Sequence, residues 1–307
     1  MSTVQAPNAV IMVRPWKFYP NPETAEDNAF QKKGCAPTDK YASMAKQEVD
    51  NMVATLRSHG ITVHLFDDYG EEDTPDSVFP NNWFSTHQGG HIAIYSMFNP
   101  SRRRERRQDI IDMLKANYRV QDVVDYSGLE WDNLFLEGTG VMVLDHIERV
   151  AYTSKSNRAS DIILERFCAH FQFEPMAFDS VDPDGNPIYH TNVMMTIGTE
   201  FALVALNMIS NEARRMEIMK RLEYSGRTVI DLEHHQVHQF AGNALELSGA
   251  EGKILAISQS GLDALRPGQI SQIEQHAKIV PIPVPTIELA GGSVRCMMAG
   301  IHLSKRY

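Results

Sequence analysis

Cysteine is scarce. Cys35, Cys168 and Cys296 are the only three in 307 residues, and they stand far apart. An odd, dispersed set argues against a disulfide framework and fits a reducing compartment. Long apolar runs are missing too. None approaches the ~18 residues that span a bilayer, and the opening MSTVQAPNAVIMVRP has neither the basic start nor the apolar core of a secretion signal. Basic residues are outnumbered, 29 against 39 acidic, and the formal net charge of −10 argues against general binding to nucleic acid or anionic membranes. These absences predict a soluble, cytoplasmic protein. Its 43 % hydrophobic and 22 % charged residues are those of an ordinary globular chain with a sizeable core.

What is present is a repeat. Five segments share an apolar lead-in, a small or amide residue, and more apolar residues: SVFPNNWFSTH, NLFLEGTGVMVLD, IYHTNVMMTIG, QFAGNALELSG and SVRCMMAGIHL. With Asn82, Gly138, Asn192, Asn243 and Cys296 as equivalent points, the intervals are 56, 54, 51 and 53 residues. Four of the segments are followed, after a polar turn, by a second strand-like run: HIAIYSM, RVAYTS, FALVALNM and KILAISQS. Helical patterns fill the gaps. DKYASMAKQEVDNMVATLRSHG places Met44, Met52, Val53 and Leu56 on one side and closes at Gly60. SRRRERRQDIIDMLKANY, NRASDIILERFCAHF, NEARRMEIMKRLEYSG and LRPGQISQIEQHAK repeat the theme, each followed by another strand. The opening AVIMVRP supplies the strand missing after Cys296 and closes a ring. At ~150 residues per domain the length alone suggests two domains. The repeat, with no Gly/Ser-rich or Pro-rich linker, predicts instead one domain, residues 1–307, of five ββαβ units.

Repeats about an axis bring their equivalent strand ends together. That would gather Glu137, His190 and Cys296, far apart in sequence, with Asp76, Asn82 and Asn192 nearby. A nucleophilic cysteine needs thiolate character and a proton carrier. A histidine, with an ordinary pKa of about 6.5, is suited to that task. Each residue also has a plain structural use: a buried cysteine as a small hydrophobe, a satisfied core histidine, asparagines as turn formers. Their common phase in the repeat is what favours chemistry.

Taken together, PDSVFPNNWFSTH, NPSRRRERR, FLEGTGVMV, YHTNVMM, FAGNALEL and GGSVRCMM make the chain resemble the pentein superfamily of guanidino-group-modifying enzymes. That superfamily includes arginine deiminases, dimethylarginine dimethylaminohydrolases and amidinotransferases. The wording is most similar to bacterial citrulline-utilisation hydrolases, the arginine deiminase-related proteins. The resemblance implies an α/β fold, a five-bladed pseudo-symmetric propeller with its site in the central channel, and neither metal nor organic cofactor. It places the nucleophile on Cys296, the acid/base histidine on His190, the acid of the E/D-G-G-D motif on Glu137 and the aspartate of D-x-V-F on Asp76. An arginine at the following helix start falls on Arg102.

Departures from the family pattern bear on substrate. H-x-D reads His190-Thr191-Asn192, Asn81 and Asn82 replace the acid after D-x-V-F, and Gly140 replaces the last acid of E-G-G-D. A guanidinium carries only donors and calls for carboxylates, whereas an amide offers donor and acceptor without charge. A clamp short of carboxylates favours a neutral ureido group, hence citrulline converted to ornithine. The expected reaction is hydrolysis of a C–N bond through a covalent adduct on Cys296, with Asn82 and Asn192 orienting the planar group. Alternatives are an arginine deiminase or dihydrolase, a dimethylargininase or an amidinotransferase; from another class, a non-catalytic amino-acid-binding propeller. The expected partner is an arginine- or citrulline-like small molecule, and the sequence leaves a homo-oligomer open.

Other features have plainer readings. SRRRERR predicts a solvated helix start capped by Ser101, its cations opposing the helix dipole and offering Arg102 to an anionic substrate carboxylate. Arg158, in KSNRAS, is a second carboxylate partner of that kind. EHHQVH carries His234 and His238 at a spacing that suits zinc only on a helix; between two strands it predicts a polar loop. Cys168 falls on the apolar face of ILERFCAHF and is expected in the core, and Cys35 has no comparable partners.

Overall fold

The computed structural model describes residues 4–32 and 39–306; Cys35 lies outside them. Strand β1 (Ala9–Pro15) pairs in parallel with β2 (Thr62–Asp68) across the helix Asp39–Ser58. Four units of one design follow, each an antiparallel hairpin whose second strand pairs in parallel with a third after a helix. They are β3 (Phe84–His87), β4 (His91–Ile94) and β5 (Asp122–Asp125), then β6 (Met142–Asp145), β7 (Val150–Ser154) and β8 (Glu174–Phe178). Next come β9 (Met195–Ile197), β10 (Phe201–Val204) and β11 (Thr228–Asp231), and β12 (Leu245–Gly249), β13 (Gly252–Ser258) and β14 (Lys278–Ile282). Finally β15 (Ala299–Gly300) pairs antiparallel with β1, Val10 opposite Gly300, and completes the first sheet. Five three-stranded sheets therefore realise the five ββαβ units, with the ring closed as the sequence predicts.

The first strands of the hairpins face a common axis. Ser85, Leu144, Thr196, Leu245 and Ala299, one from each sheet, line a single axial chamber. β6 and β7 are buried on both faces, which is why they read as apolar runs rather than as strict alternation. Helices cover the outer flanks. Asp39–Ser58 packs Ala45, Val49, Met52, Val53 and Leu56 against Val10, Met12 and Val63; each such side chain contributes about 1.5–3 kcal/mol when removed from water. Met44 is 40 % exposed, so Ala45 and Val49 hold the inner face in its place. Gly60 ends the turn at φ +82°, with Ala250 packed so closely that a Cβ would lie 2.6 Å from it.

Two other expectations are corrected. The arginine-rich stretch is not one helix but Pro100–Arg103 and Gln108–Asn117. Its N-cap position is Asn99, with Pro100 first in the helix, because proline needs no amide partner there; Ser101 lies inside. His234–His238 is a short helix, not a loop, because Glu233 and Gln236 close a capping box around its start. The His234 and His238 rings lie 4.5 Å apart. Among the described residues no group of three His, Cys, Asp or Glu side chains is arranged to hold a metal. Cys168 is buried among Phe167, Phe171 and Ile163, as expected. No helix of the described residues is long and apolar enough to cross a membrane.

A buried ion pair ties two of the sheets together. Arg227, at the start of β11, places its guanidinium 2.7 and 2.9 Å from the two carboxylate oxygens of Asp145 at the end of β6, and donates to Gly198 O at 2.8 Å. Removing one partner strands a charge in the interior, a loss of about 3–5 kcal/mol. Arg227→Met is expected to lower stability by that order in urea unfolding, and Arg227→Met with Asp145→Leu to recover most of it.

Candidate active site

Cys296 sits on a turn between Ser293 and β15 and is 3 % exposed. The two glycines before it explain how the chain reaches that point. A Cβ at Gly291, where φ is +81°, would lie 2.5 Å from the Asn28 side chain, and one at Gly292 would lie 2.7 Å from the Phe79 ring. The sulfur accepts from two amides, Asn192 Nδ2 at 3.3 Å and Asn243 Nδ2 at 3.2 Å. Asn243 is locked in turn, its Oδ1 accepting from the backbone N–H of Arg295 and its Nδ2 also donating to Asn192 O.

Cys296, His190, Asp76, Asn82, Arg102 and Arg158 line one cleft with Asn28, Phe79 and Tyr189. The other three sequence-predicted residues stand behind it. Glu137 is fully buried: Oε1 accepts from Phe98 N at 3.0 Å, and Oε2 from His190 Nε2 at 2.8 Å and the Arg158 guanidinium at 3.4 Å. Asn81 supports Asn82, accepting from its Nδ2 at 3.1 Å and donating to Thr139 Oγ1. Asn192 lies beneath the sulfur. All nine are thus brought to one place, six on the cleft wall and three supporting them.

Burial decides the protonation states. It raises Glu137, but Arg158, His190 and Arg102 overcome this and hold the carboxyl well below its ordinary range. Burial also pulls His190 down to about 4, only partly opposed by Glu137, so the imidazole is neutral at pH 7. An ionised Glu137 accepts the Nε2 proton, which leaves Nδ1 as the free base. Burial raises Asp76 above the usual carboxylate value, against Arg102 and Asn21.

Both arginines of the cleft are already paired within the chain. Arg102 makes a two-point pair with Glu105 at 2.8 and 2.9 Å and donates to Asn82 Oδ1 at 2.8 Å. Arg158 does the same with Asp27 at 2.9 and 2.5 Å. The rest of the basic stretch is likewise neutralised within the chain, Arg106 by Glu130 and Arg107 by Asp109.

Sequence reasoning marked Asn243 only as a repeat position, although its phase with Asn82 and Asn192 was the signal for a role. Glu105 and the segment Asn21–Gln31 went unmarked. That segment straps the cleft: Asn21 donates to Asp76 at 2.8 Å, Asp27 pairs with Arg158, and Asn28 donates to Ala290 O at 3.3 Å. Under it the cleft has about 20 Å³ of free volume, room for about one water. Outside lies a vestibule of about 790 Å³ that shares Asn28 and Tyr189 with the cleft.

A family model described as N,N dimethylarginine dimethylhydrolase, eukaryotic, matches residues 14–303. The chain belongs to this family. The enzyme is therefore a pentein, a hydrolase acting on C–N bonds of guanidino-type groups in arginine-like molecules. The solved structures agree in fold. The N-terminal domain of ArgZ, an arginine dihydrolase of cyanobacteria solved with substrate bound, has a TM-score of 0.74 at 15 % identity, over 95 % of this chain and 97 % of that one. AgrE in complex with ornithine and NAD+ has a TM-score of 0.76 at 16 % identity, over 97 % of this chain but 40 % of the AgrE chain. A dimethylarginine dimethylaminohydrolase adduct with 4-chloro-2-hydroxymethylpyridine gives 0.64 at 12 % identity, over 95 % and 99 %. No curated protein matches the sequence.

Gly140, where the family resemblance leads to the expectation of an acid, has a steric explanation in this enzyme. A Cβ there would lie 2.3 Å from Asn82 Nδ2 and 2.8 Å from His190 Nδ1. Gly140→Ala is expected to cost at least about 100-fold in kcat/KM, of the order that misplacement by about 1 Å produces, with the circular-dichroism spectrum unchanged. The neutral His190 gives a second expectation. Protonating it removes the base, so kcat/KM should fall as the pH drops through about 4 rather than through 6.5. A pH–rate profile locates that limb.

Proposed function

We propose that the enzyme hydrolyses the C–N bond of a ureido group through a covalent adduct on Cys296, with citrulline the favoured substrate and ornithine the product. The observation that carries the choice is the charge of the cleft wall. Asp76 is its one carboxylate, against two guanidinium groups, Arg102 and Arg158, and two amides, Asn28 and Asn82. Arg102 and Arg158 are each paired with carboxylates behind the wall, so Asp76 alone is left to face a guanidinium head, whose N–H groups call for more acceptors than that. A ureido group brings no charge, and its oxygen takes a donor. Asn82 has one: its Oδ1 is held by Arg102 and one Nδ2 N–H by Asn81 Oδ1, which leaves the second N–H for the substrate oxygen.

The steps follow from the protonation states. As the sulfur attacks the ureido carbon, neutral His190 takes the thiol proton at Nδ1, and Glu137 stabilises the imidazolium. His190 then gives that proton to the departing amine, and ammonia leaves a thiocarbamate on Cys296. Water, deprotonated by His190, displaces the sulfur, which recovers the proton. The carbamate released breaks down to ornithine and carbon dioxide. Asn192 and Asn243 aim the sulfur throughout. Asp76 accepts from the N–H groups of the planar head. Arg102 and Arg158 keep N–H groups beyond those given to Glu105, Asn82, Phe79 O, Asp27 and Glu137, and these are offered to the substrate's α-carboxylate. The closed cleft requires Asn21–Gln31 to swing out for entry.

A second reading, arginine as substrate, is favoured by the family match and by the raised, partly uncompensated Asp76 carboxyl. Product analysis with citrulline, arginine, dimethylarginine and agmatine in parallel separates the two. Ornithine and ammonia from citrulline, with a loss of at least about 10³-fold in Cys296→Ser, is the expected result. Citrulline accumulating from arginine would overturn the ureido assignment while leaving the cysteine chemistry in place.

A further inference from the structure

Cys296 faces the cleft, but its neighbour Arg295 faces a different space. The axial chamber enclosed by the inner strands has about 50 Å³ of free volume and shares no wall residue with the cleft. That is room for a few waters or one small ion, and too little for an amino acid. Arg295 lies in its wall, together with His146 and His302.

Arg295, partly rather than fully buried, differs from the buried arginines. Arg102, Arg158 and Arg227 each grip a carboxylate with two nitrogens. Arg295 donates to one carbonyl, Met298 O at 3.0 Å, and among the described residues no carboxylate lies within ion-pair distance of it. A charge partly withdrawn from water gains from a counter-charge. Burial lowers the guanidinium only to about 10, with Cys296 opposing the shift, so it remains a cation at neutral pH. The hydroxyls nearby do not compete for an anion. Thr86 and Thr196 donate to backbone carbonyls. The imidazoles of His146 and His302, stacked with centroids 3.8 Å apart, are kept neutral by burial and by the surrounding positive charge, and His146 brings a ring N–H. There is a way in: His146 and His302 also line an outer cavity of about 430 Å³ with Asn8, Gln88 and Ser248.

We propose that the axial chamber is a binding site for one small inorganic monoanion of halide size, held by the Arg295 guanidinium with His146 beside it. The site lies at the back of the catalytic turn and does not depend on which substrate the cleft takes. Bromide is the probe. Crystals of the full chain soaked in sodium bromide should show an anomalous peak within hydrogen-bond distance of the Arg295 guanidinium. In solution, bromide should raise Tm saturably above matched sodium gluconate, whose anion is too large for the chamber. Arg295→Met should abolish both effects. If that variant does not fold, the wild-type pair of measurements still decides. Water in the chamber with bromide only at surface lysines and arginines, or equal Tm in bromide and gluconate, overturns the proposal. A peak that persists in a folded Arg295→Met also overturns it.

Discussion

The active site depends on how closely an amide and an imidazole from different repeats approach each other across a residue with no side chain. Asn82 ends one hairpin approach, His190 another, and Gly140 lies between them with less room than one methyl group. Because Gly140 follows Glu137 on the same turn, the backbone that admits both neighbours also delivers the carboxylate that holds His190. Asn82 is in turn fixed by Arg102, and Arg102 by Glu105. The Arg102–Glu105 pair is local, but Glu137 and His190 come from different blades, as do Asn192, Asn243 and Cys296. The constellation is therefore assembled by ring closure and not by any local motif, a preorganisation that charge stabilisation requires.

Charge follows the same logic. The basic stretch between β4 and β5 looks, in one dimension, like an unbalanced patch. In three dimensions its arginines are dispersed onto Glu105, Glu130, Asp109 and backbone carbonyls. Arg102 and Arg158 come to the cleft already paired, so they act there as fixed donors and not as bare cations. The wall is left with a single carboxylate, and that composition bears on whether the substrate head is neutral or charged.

Much of this was legible beforehand, and the reason is periodicity. Intervals of 51 to 56 residues between equivalent points predicted that Glu137, His190, Cys296, Asp76, Asn82 and Asn192 would meet, the family resemblance and its departures added Arg102 and Asn81, and the structure brings these together with Arg158. What stayed hidden lacks a period. Asn21–Gln31 reaches over the site from a loop with no counterpart in the other units, and its partners Asp76 and Arg158 lie 55 and 131 residues away. Glu105 was concealed by its neighbours, a lone acid among arginines. Asn243 was in view but undervalued, because a turn-forming asparagine and one that donates to a sulfur read alike. The short helix at His234 and the cap at Asn99 were misjudged for a local reason: capping geometry chose between two nearby candidates, and propensity did not.

The pairing of β1 with β15 links the beginning of the described chain to its end. The first sheet cannot be completed until residues 299 and 300 return to residues 10 and 11. Such a contact is the most distant in sequence that this ring contains, and contacts of that kind form late because the intervening chain must be ordered first. Cys296 lies three residues ahead of that closing strand. On the ribosome, four units could be in place while the nucleophile is still inside the exit tunnel. The sulfur would then enter its pocket only as the ring shuts, so a half-folded chain carries no assembled catalytic centre.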